Sequence, residues 1–167
     1  MNSAQKLAGG IDCFIDFVGR ATSWLALILA LVMGSNVLLR YGFSIGSIWM
    51  QELEWHIMVP ICVFGMSYAL RHGEHVRVDV LFQYLKPRSK LAVELISAIC
   101  AMLLSIIVIW LCIPYVWQSW IIGEGTANPG GIDYRYIVKS LIPIGFALFL
   151  LQSLSEAIKS TLALRRA

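Results

Sequence analysis

The longest uncharged stretch of the sequence is LISAICAMLLSIIVIWLCIPYVWQSWIIG, from Leu95 to Gly123. Its 29 residues include no Asp, Glu, Lys or Arg. As a helix it would be about 43 Å long, because a helix rises about 1.5 Å per residue. The hydrocarbon core of a bilayer is only about 30 Å thick. Tryptophan and tyrosine, which favour the headgroup level, crowd the second half of the stretch. We therefore expect a membrane helix that projects beyond the hydrocarbon near Gly123.

Three further stretches are apolar and long enough to cross a membrane. Together with the first they predict spans at residues 21–40, 52–70, 91–123 and 137–156. The whole chain is 59% hydrophobic and 14% charged, whereas soluble domains are about 25% charged. This composition predicts an all-α membrane protein with four transmembrane helices in a single membrane domain, residues 1–167.

The positions of lysine and arginine predict how the chain is oriented in the membrane, because cytoplasmic loops are enriched in both. The two ends and the loop at residues 71–90 hold ten of them, and the other two loops hold three. We therefore expect both termini, including the tail at 157–167, and the 71–90 loop to be cytoplasmic. The loop at 124–136 is expected on the opposite, outer side.

Two shorter segments have apolar residues at helical spacing. Residues 1–20 predict an amphipathic helix at the cytoplasmic membrane surface, before the first span. Within the 71–90 loop, a second apolar face predicts a short surface helix that ends at Pro87. Both segments could instead be extensions of the neighbouring spans. The apolar faces comprise Leu7, Ile11, Phe14, Ile15 and Val18, and Val78, Leu81, Phe82 and Leu85.

The sequence lacks a recognisable pattern for catalysis or cofactor binding. The four cysteines are far apart without a CxxC pair, which argues against a zinc site. Of the histidines, only His56 lies near a span, whereas a membrane haem needs paired histidines. A net charge of +3 does not suggest nucleic-acid binding. The spans are nearly free of charge at mid-membrane, where transporters usually place ionisable groups. We expect no enzyme activity and no cofactor.

Polar residues concentrate at the two ends of the second span. At the outer end Glu52 and His56 are spaced i,i+4 and share a helix face, while Glu54 lies on another. Carboxylates are favoured near a helix N-terminus in any case, but an ionic contact with a partner subunit is an equally open explanation. At the inner end, RHGEHVRVD from Arg71 to Asp79 is either a solvated loop or a segment whose mixed charges order a tight turn or dock a neighbour. We expect His75 and Asp79 to fix such a turn.

These clusters and the motifs around them resemble the small membrane subunit of TRAP transporters (tripartite ATP-independent periplasmic transporters), the DctQ-like family. The resemblance covers nearly the whole chain, although a proline-tryptophan pair that many members have near the Asn128–Ile132 stretch is missing. The matching features are Arg40-Tyr41-Gly42-Phe43, the W-x-x-E pair Trp49 and Glu52, Gly65, the turn with Gly73, His75 and Asp79, and Leu141–Phe146 with Pro143.

The resemblance implies a multi-pass subunit of the bacterial inner membrane that takes part in sodium-driven uptake of organic acids. Its partners would be a large DctM-like membrane subunit, which carries the solute and sodium sites, a periplasmic DctP-like binding protein, and membrane lipids. The small subunit would brace the large one. The candidate interface or motif residues are Arg40, Tyr41, Trp49, Glu52, His56, Gly73, His75, Asp79, Arg135 and Pro143.

Two hypotheses from other classes stay open at the level of the sequence. A membrane anchor for a redox enzyme would also have four apolar spans, and haem absorption of the purified complex would support it. A small exporter that acts alone as a dimer would show uptake in liposomes that contain only this chain.

Overall fold

The computed structural model describes residues 3–74 and 86–165. The described residues form four α-helices without a strand, and each helix is long and apolar enough to cross a membrane. The predicted all-α class with four membrane helices is confirmed. The helices are α1 (Ser3–Gly42), α2 (Ile48–His72), α3 (Pro87–Ile121) and α4 (Arg135–Leu164).

Helix α4 is the centre of the bundle. It packs against each of the other three helices, and α1 also packs against α2. Helix α3, in contrast, packs almost entirely on α4. Most of the surface of α3 is therefore apolar and is not covered by the rest of the described chain. Exposed residues on it include Ile96, Leu103 and Trp110. Such a surface needs lipid or another protein against it.

Helix α1 runs without interruption through residues that the sequence divided into a surface helix and a span. It is 40 residues long, or about 60 Å, roughly twice the hydrocarbon thickness. Residues 3–20 of the predicted surface segment are thus the first half of α1 and not a separate helix. No proline interrupts it, and its inward-facing Ala8, Asp12 and Ile15 are buried within the bundle. Part of α1 must project beyond the membrane core.

The last two helices are also longer than the spans predicted for them. Helix α3 begins at Pro87, which suits the first helical position because proline lacks the N–H that is unpaired there. Helix α4 continues to Leu164 through most of the predicted tail, and Ser160 is buried there. The second predicted surface helix, with Val78 to Leu85, falls outside the described residues.

Helix α2 has a well-formed cap at each end. The Ser47 side chain accepts a hydrogen bond from the Met50 backbone N–H at 3.3 Å. At the other end Gly73 has φ 73°, and the Glu74 N–H donates to the Ala69 carbonyl at 3.0 Å. This left-handed end of a helix strongly favours glycine. The motif residue Gly73 therefore has a structural reason for its identity.

A close approach between α2 and α4 requires Gly145, two residues after the motif proline Pro143. A Cβ atom at Gly145 would lie 2.5 Å from the Val63 Cβ and 3.1 Å from the Val63 backbone carbon. Backbone cannot move aside as a flexible side chain can, so the two helices would have to separate. A Cβ atom at Gly65, in contrast, would meet no atom of the described neighbouring residues within 4 Å.

We expect Gly145→Ala to destabilise the bundle by about 1–3 kcal/mol, the usual cost of overpacking. Gly65→Ala is the matched control, and it should leave thermal unfolding of the detergent-solubilised chain unchanged or slightly improved. Equal unfolding temperatures for the two variants would show that the close packing at Gly145 is not needed.

Candidate functional site

Most charged and polar side-chain contacts that join separate elements of the described residues form two groups at opposite ends of the bundle. We call them the loop cluster and the terminal cluster. The loop cluster joins the start of α2 to the 122–134 loop and the start of α4. The terminal cluster joins the N-terminal half of α1 to the last turns of α2 and α4. Its members are Asp12, Asp16, Arg71, His72, Gln152, Ser155, Glu156 and Lys159, and the loop cluster comprises Glu52, Glu124, Thr126, Asn128, Ile132 and Lys139.

Glu52 holds the loop in the loop cluster. Its Oε1 accepts from Thr126 Oγ1 at 2.5 Å and from Asn128 Nδ2 at 3.0 Å. Its Oε2 accepts from the Ile132 backbone N–H at 2.6 Å. A Cβ at Gly131 would lie 2.5 Å from Oε2, so a larger residue there would push the Glu52 carboxylate out of its present position. One side chain on α2 thus fixes a turn that lies about 80 residues further along the chain.

A second carboxylate, Glu124, joins the same loop to α3 and α4. It accepts hydrogen bonds from Lys139 Nζ and, at 2.7 Å, from Ser119 Oγ. Lys139 Nζ also lies 4.2 Å from the centre of the Tyr115 ring. The hydrogen bond from Lys139 is the main reason that the pKa of Glu124 lies below its ordinary value of 4.5. The stabilisation from this pair is therefore complete above about pH 4.5 and is lost as the pH falls through the lowered pKa.

Other predicted site residues at this end have different surroundings. The ring of Trp49 is 51% exposed, and Arg135 begins α4 with its backbone N–H bonded to the Glu124 carbonyl at 3.2 Å. His56 Nδ1 lies 2.7 Å from the Glu52 carbonyl, so it donates if protonated there. Arg40 and Tyr41 end α1 with exposed side chains and do not contact Glu52. These residues all lie at one end of the bundle, because α1 ends at Gly42 and α2 begins at Ile48. The hydrogen bonds of Glu52, however, go to the 122–134 loop and not to Arg40 or Tyr41.

Asp12 is the central residue of the terminal cluster. Its Oδ2 pairs with Arg71 Nη1 at 2.7 Å and with Lys159 Nζ at 2.8 Å. Its Oδ1 accepts from Ser155 Oγ at 2.7 Å. The side chain is buried, since Asp12 is 9% exposed. One carboxylate from α1 is therefore bonded to α2 and α4 at once, and this connects the three helices.

Asp16, one turn further along α1, binds Arg71 in a bidentate way. Arg71 Nε and Nη2 donate to its two carboxylate oxygens at 2.6 and 2.7 Å. His72 Nε2 lies 3.2 Å from the same carboxylate. On α4, Lys159 also pairs with Glu156 at 2.9 Å. The bidentate geometry gives the strongest and most directional form of an arginine–carboxylate contact.

Sequence reasoning did not find the terminal cluster. The sequence predicted a surface helix at residues 1–20 and assigned Arg71 to the turn motif, without linking the two. The sequence did hold a clue to these contacts. Asp12 and Asp16 are spaced i,i+4 on one face of a largely apolar helix, and Arg71 and Lys159 lie near the ends of other helices. The predicted turn residues His75 and Asp79 lie outside the described residues, so their role stays a prediction.

The fold and both clusters can now be set beside known proteins. Residues 29–163 match the family described as "Tripartite ATP-independent periplasmic transporters, DctQ component". The chain belongs to this family. A similar protein is the "Ectoine TRAP transporter small permease protein TeaB" of Halomonas elongata, which is 23% identical over 134 residues. That alignment covers 80% of this chain and 68% of the relative.

Membership in the DctQ family settles the general class of the chain. It is a non-catalytic, multi-pass membrane component of a transporter, not an enzyme. The family works with a large membrane subunit and a binding protein. This membership favours transport over the redox-anchor and exporter hypotheses. The matched range contains the whole loop cluster but begins after Asp12 and Asp16.

Proposed function

We propose that this DctQ-family chain is a scaffold for the large, DctM-like transport subunit and carries no solute or ion itself. The observation behind the proposal is that the ion pairs of the described residues are confined to the two ends of the bundle. A path for a polar solute would need polar groups between them. The chain instead has the polar contacts of a brace, which hold the helix ends in place.

The buried hydroxyl groups deep in the spans support the same proposal. Ser67 Oγ donates to the Phe64 carbonyl and Ser105 Oγ to the Ala101 carbonyl, both at 2.7 Å and both within their own helices. Serine and threonine commonly bond in this way inside membrane helices. These hydroxyl protons are already used, so the two serines are poorly suited to bind a solute.

The scaffold proposal includes an orientation. The distribution of lysine and arginine favours a cytoplasmic terminal cluster with both chain ends inside. The loop cluster then faces the periplasm, where a DctP-like binding protein would deliver its solute. The bilayer concerned would be a bacterial inner membrane. Exposed aromatic residues near the loop end, such as Trp49, Trp117 and Trp120, suit the outer headgroup level.

Co-expression tests the scaffold directly. We expect this chain and the large subunit encoded with it to purify as one complex through a tag on either. We also expect the large subunit to unfold at a higher temperature in the complex than alone, because binding stabilises the bound form. A large subunit with the same yield and unfolding temperature without this chain would contradict scaffolding.

The solute class is proposed separately from the scaffold. We propose sodium-coupled uptake of organic acids, on the basis of the family resemblance. Ectoine is a second candidate, because the similar small permease of Halomonas elongata is named for it. Uptake of a labelled organic acid and of labelled ectoine should be compared in vesicles with the complete system, with and without an inward sodium gradient. Uptake that is unaffected by the gradient would exclude sodium coupling.

A further inference from the structure

Two carboxylates near the start of α2 have very different surroundings. Glu52 is held by three donors from the 122–134 loop. Glu54, two residues later, faces α1 and accepts one hydrogen bond, from Asn36 Nδ2 at 2.8 Å. Within residues 3–74 and 86–165, no lysine, arginine or histidine pairs with it. Glu54 is half-buried, so solvent only partly compensates its charge.

An ionised carboxylate has about four positions at which it can accept hydrogen bonds. Asn36 occupies one of them and brings no charge. Glu54 lies about 9 Å along α2 from Ile48, at a level where the rings of Trp49 and Trp55 are exposed. Tryptophan marks the boundary between headgroups and hydrocarbon. A carboxylate at this depth is stabilised most by a cation that reaches it from outside the chain.

The surface beside Glu54 is open and suits a second helix. Gln51, Trp55, Met58 and Cys62 are all exposed on α2. They recur at i, i+4, i+7 and i+11, which forms one stripe along the helix. Gln51 and Met58 are three and four residues from Glu54, so they adjoin it on the helix surface. The stripe, which is apolar from Trp55 onward, would pack against a membrane helix, and Glu54 would pair with a charge on that helix.

We propose that Glu54 is a docking point for a lysine or arginine of the large membrane subunit, on the stripe of α2 formed by Gln51, Trp55, Met58 and Cys62. The partner is identified by charge complementarity, since the half-buried Glu54 accepts from the Asn36 amide and forms no ion pair within the described residues. This inference rests on the proposed scaffold function and adds the contact surface and the chemistry of the contact.

The test uses the complex of this chain with the large subunit in detergent, with affinity measured from the amount that co-purifies over a concentration series. We expect Glu54→Gln to weaken the complex at least about tenfold, because it leaves the partner's cation unpaired. Glu54→Lys should abolish it by placing like charges together. Exchange of one basic residue of the large subunit for glutamate should restore binding to Glu54→Lys.

Asn36→Ala is the matched control. It removes the described contact of Glu54 with α1 but keeps the charge, so we expect the affinity to change less than about twofold. If Asn36→Ala weakens the complex as much as Glu54→Gln, Glu54 acts within the chain and the inference is wrong. It is also wrong if Glu54→Lys binds as the unmodified chain does. Absence of any complex with the unmodified chain would instead refute the scaffold function itself.

Discussion

Replacing Asp12 by alanine is expected to destabilise the helix bundle strongly, because Asp12 joins three of its helices. The variant leaves Lys159 and Ser155 without their shared acceptor and removes one of the two carboxylates that bind Arg71. Removing one partner of a buried ionic group usually costs about 3–5 kcal/mol. Since Arg71 keeps Asp16 and Lys159 keeps Glu156, we expect about 3 kcal/mol. Thermal unfolding of the detergent-solubilised chain measures it.

Asp133→Ala provides the matched control for Asp12→Ala. Asp133 is an exposed aspartate in the 122–134 loop, so its loss should change stability by less than about 0.5 kcal/mol. Hydrogen exchange adds a local measurement, because the amides at the N-terminal end of α1 should lose protection in Asp12→Ala but not in the control. Similar unfolding temperatures for the two variants would mean that the terminal cluster contributes little to holding the helices together.

Replacing Glu52 by alanine is expected to release the 122–134 loop without unfolding the bundle. Thr126, Asn128 and the Ile132 amide would all lose their acceptor at once. We expect the Ile132 amide to exchange at least about tenfold faster, since hydrogen bonds to a charged acceptor are among the stronger ones. Solute uptake by the complete transporter should fall by a similar factor if the loop meets a partner. Hydrogen exchange and vesicle uptake measure the two effects.

Two further substitutions probe the same contact from either side. Glu52→Gln keeps one carbonyl oxygen for Thr126 but offers an N–H₂ group where Ile132 needs an acceptor, so an intermediate effect is expected. Gly131→Ala places a methyl group against the Glu52 carboxylate, which must shift, so faster loop exchange is expected but less than in Glu52→Ala. If Glu52→Ala leaves both loop exchange and uptake unchanged, Glu52 is not the residue that holds the loop.

Hydropathy was sufficient to predict the four spans but not the full lengths of their helices. An amphipathic segment before a span has the same pattern whether it lies on the membrane or continues the span. The difference in this chain comes from Arg71 and Lys159, which lie 55 and 147 residues away from their aspartate partners. Contacts between such distant positions cannot be inferred from local periodicity.

The loop cluster shows how a site residue can be predicted without its role. Glu52 was identified from the W-x-x-E pair, and its i,i+4 spacing from His56 placed the two side chains on one helix face. Thr126 and Asn128, which it binds, belong to a loop with no periodic pattern, so sequence alone did not link them. Thr126 and Asn128 are neutral, so charge complementarity could not point to them as partners of Glu52. Glu124 and Lys139, in contrast, have opposite charges that could have suggested their contact.

Uptake by reconstituted vesicles gives the most direct test of whether this chain is a scaffold without a transport path. The comparison needs vesicles with this chain alone, with the large subunit alone and with both, each supplied with the soluble binding protein and labelled solute. We predict no uptake with this chain alone and full uptake only with both membrane subunits. Solute accumulation in vesicles that contain this chain as their sole membrane protein would contradict the proposal.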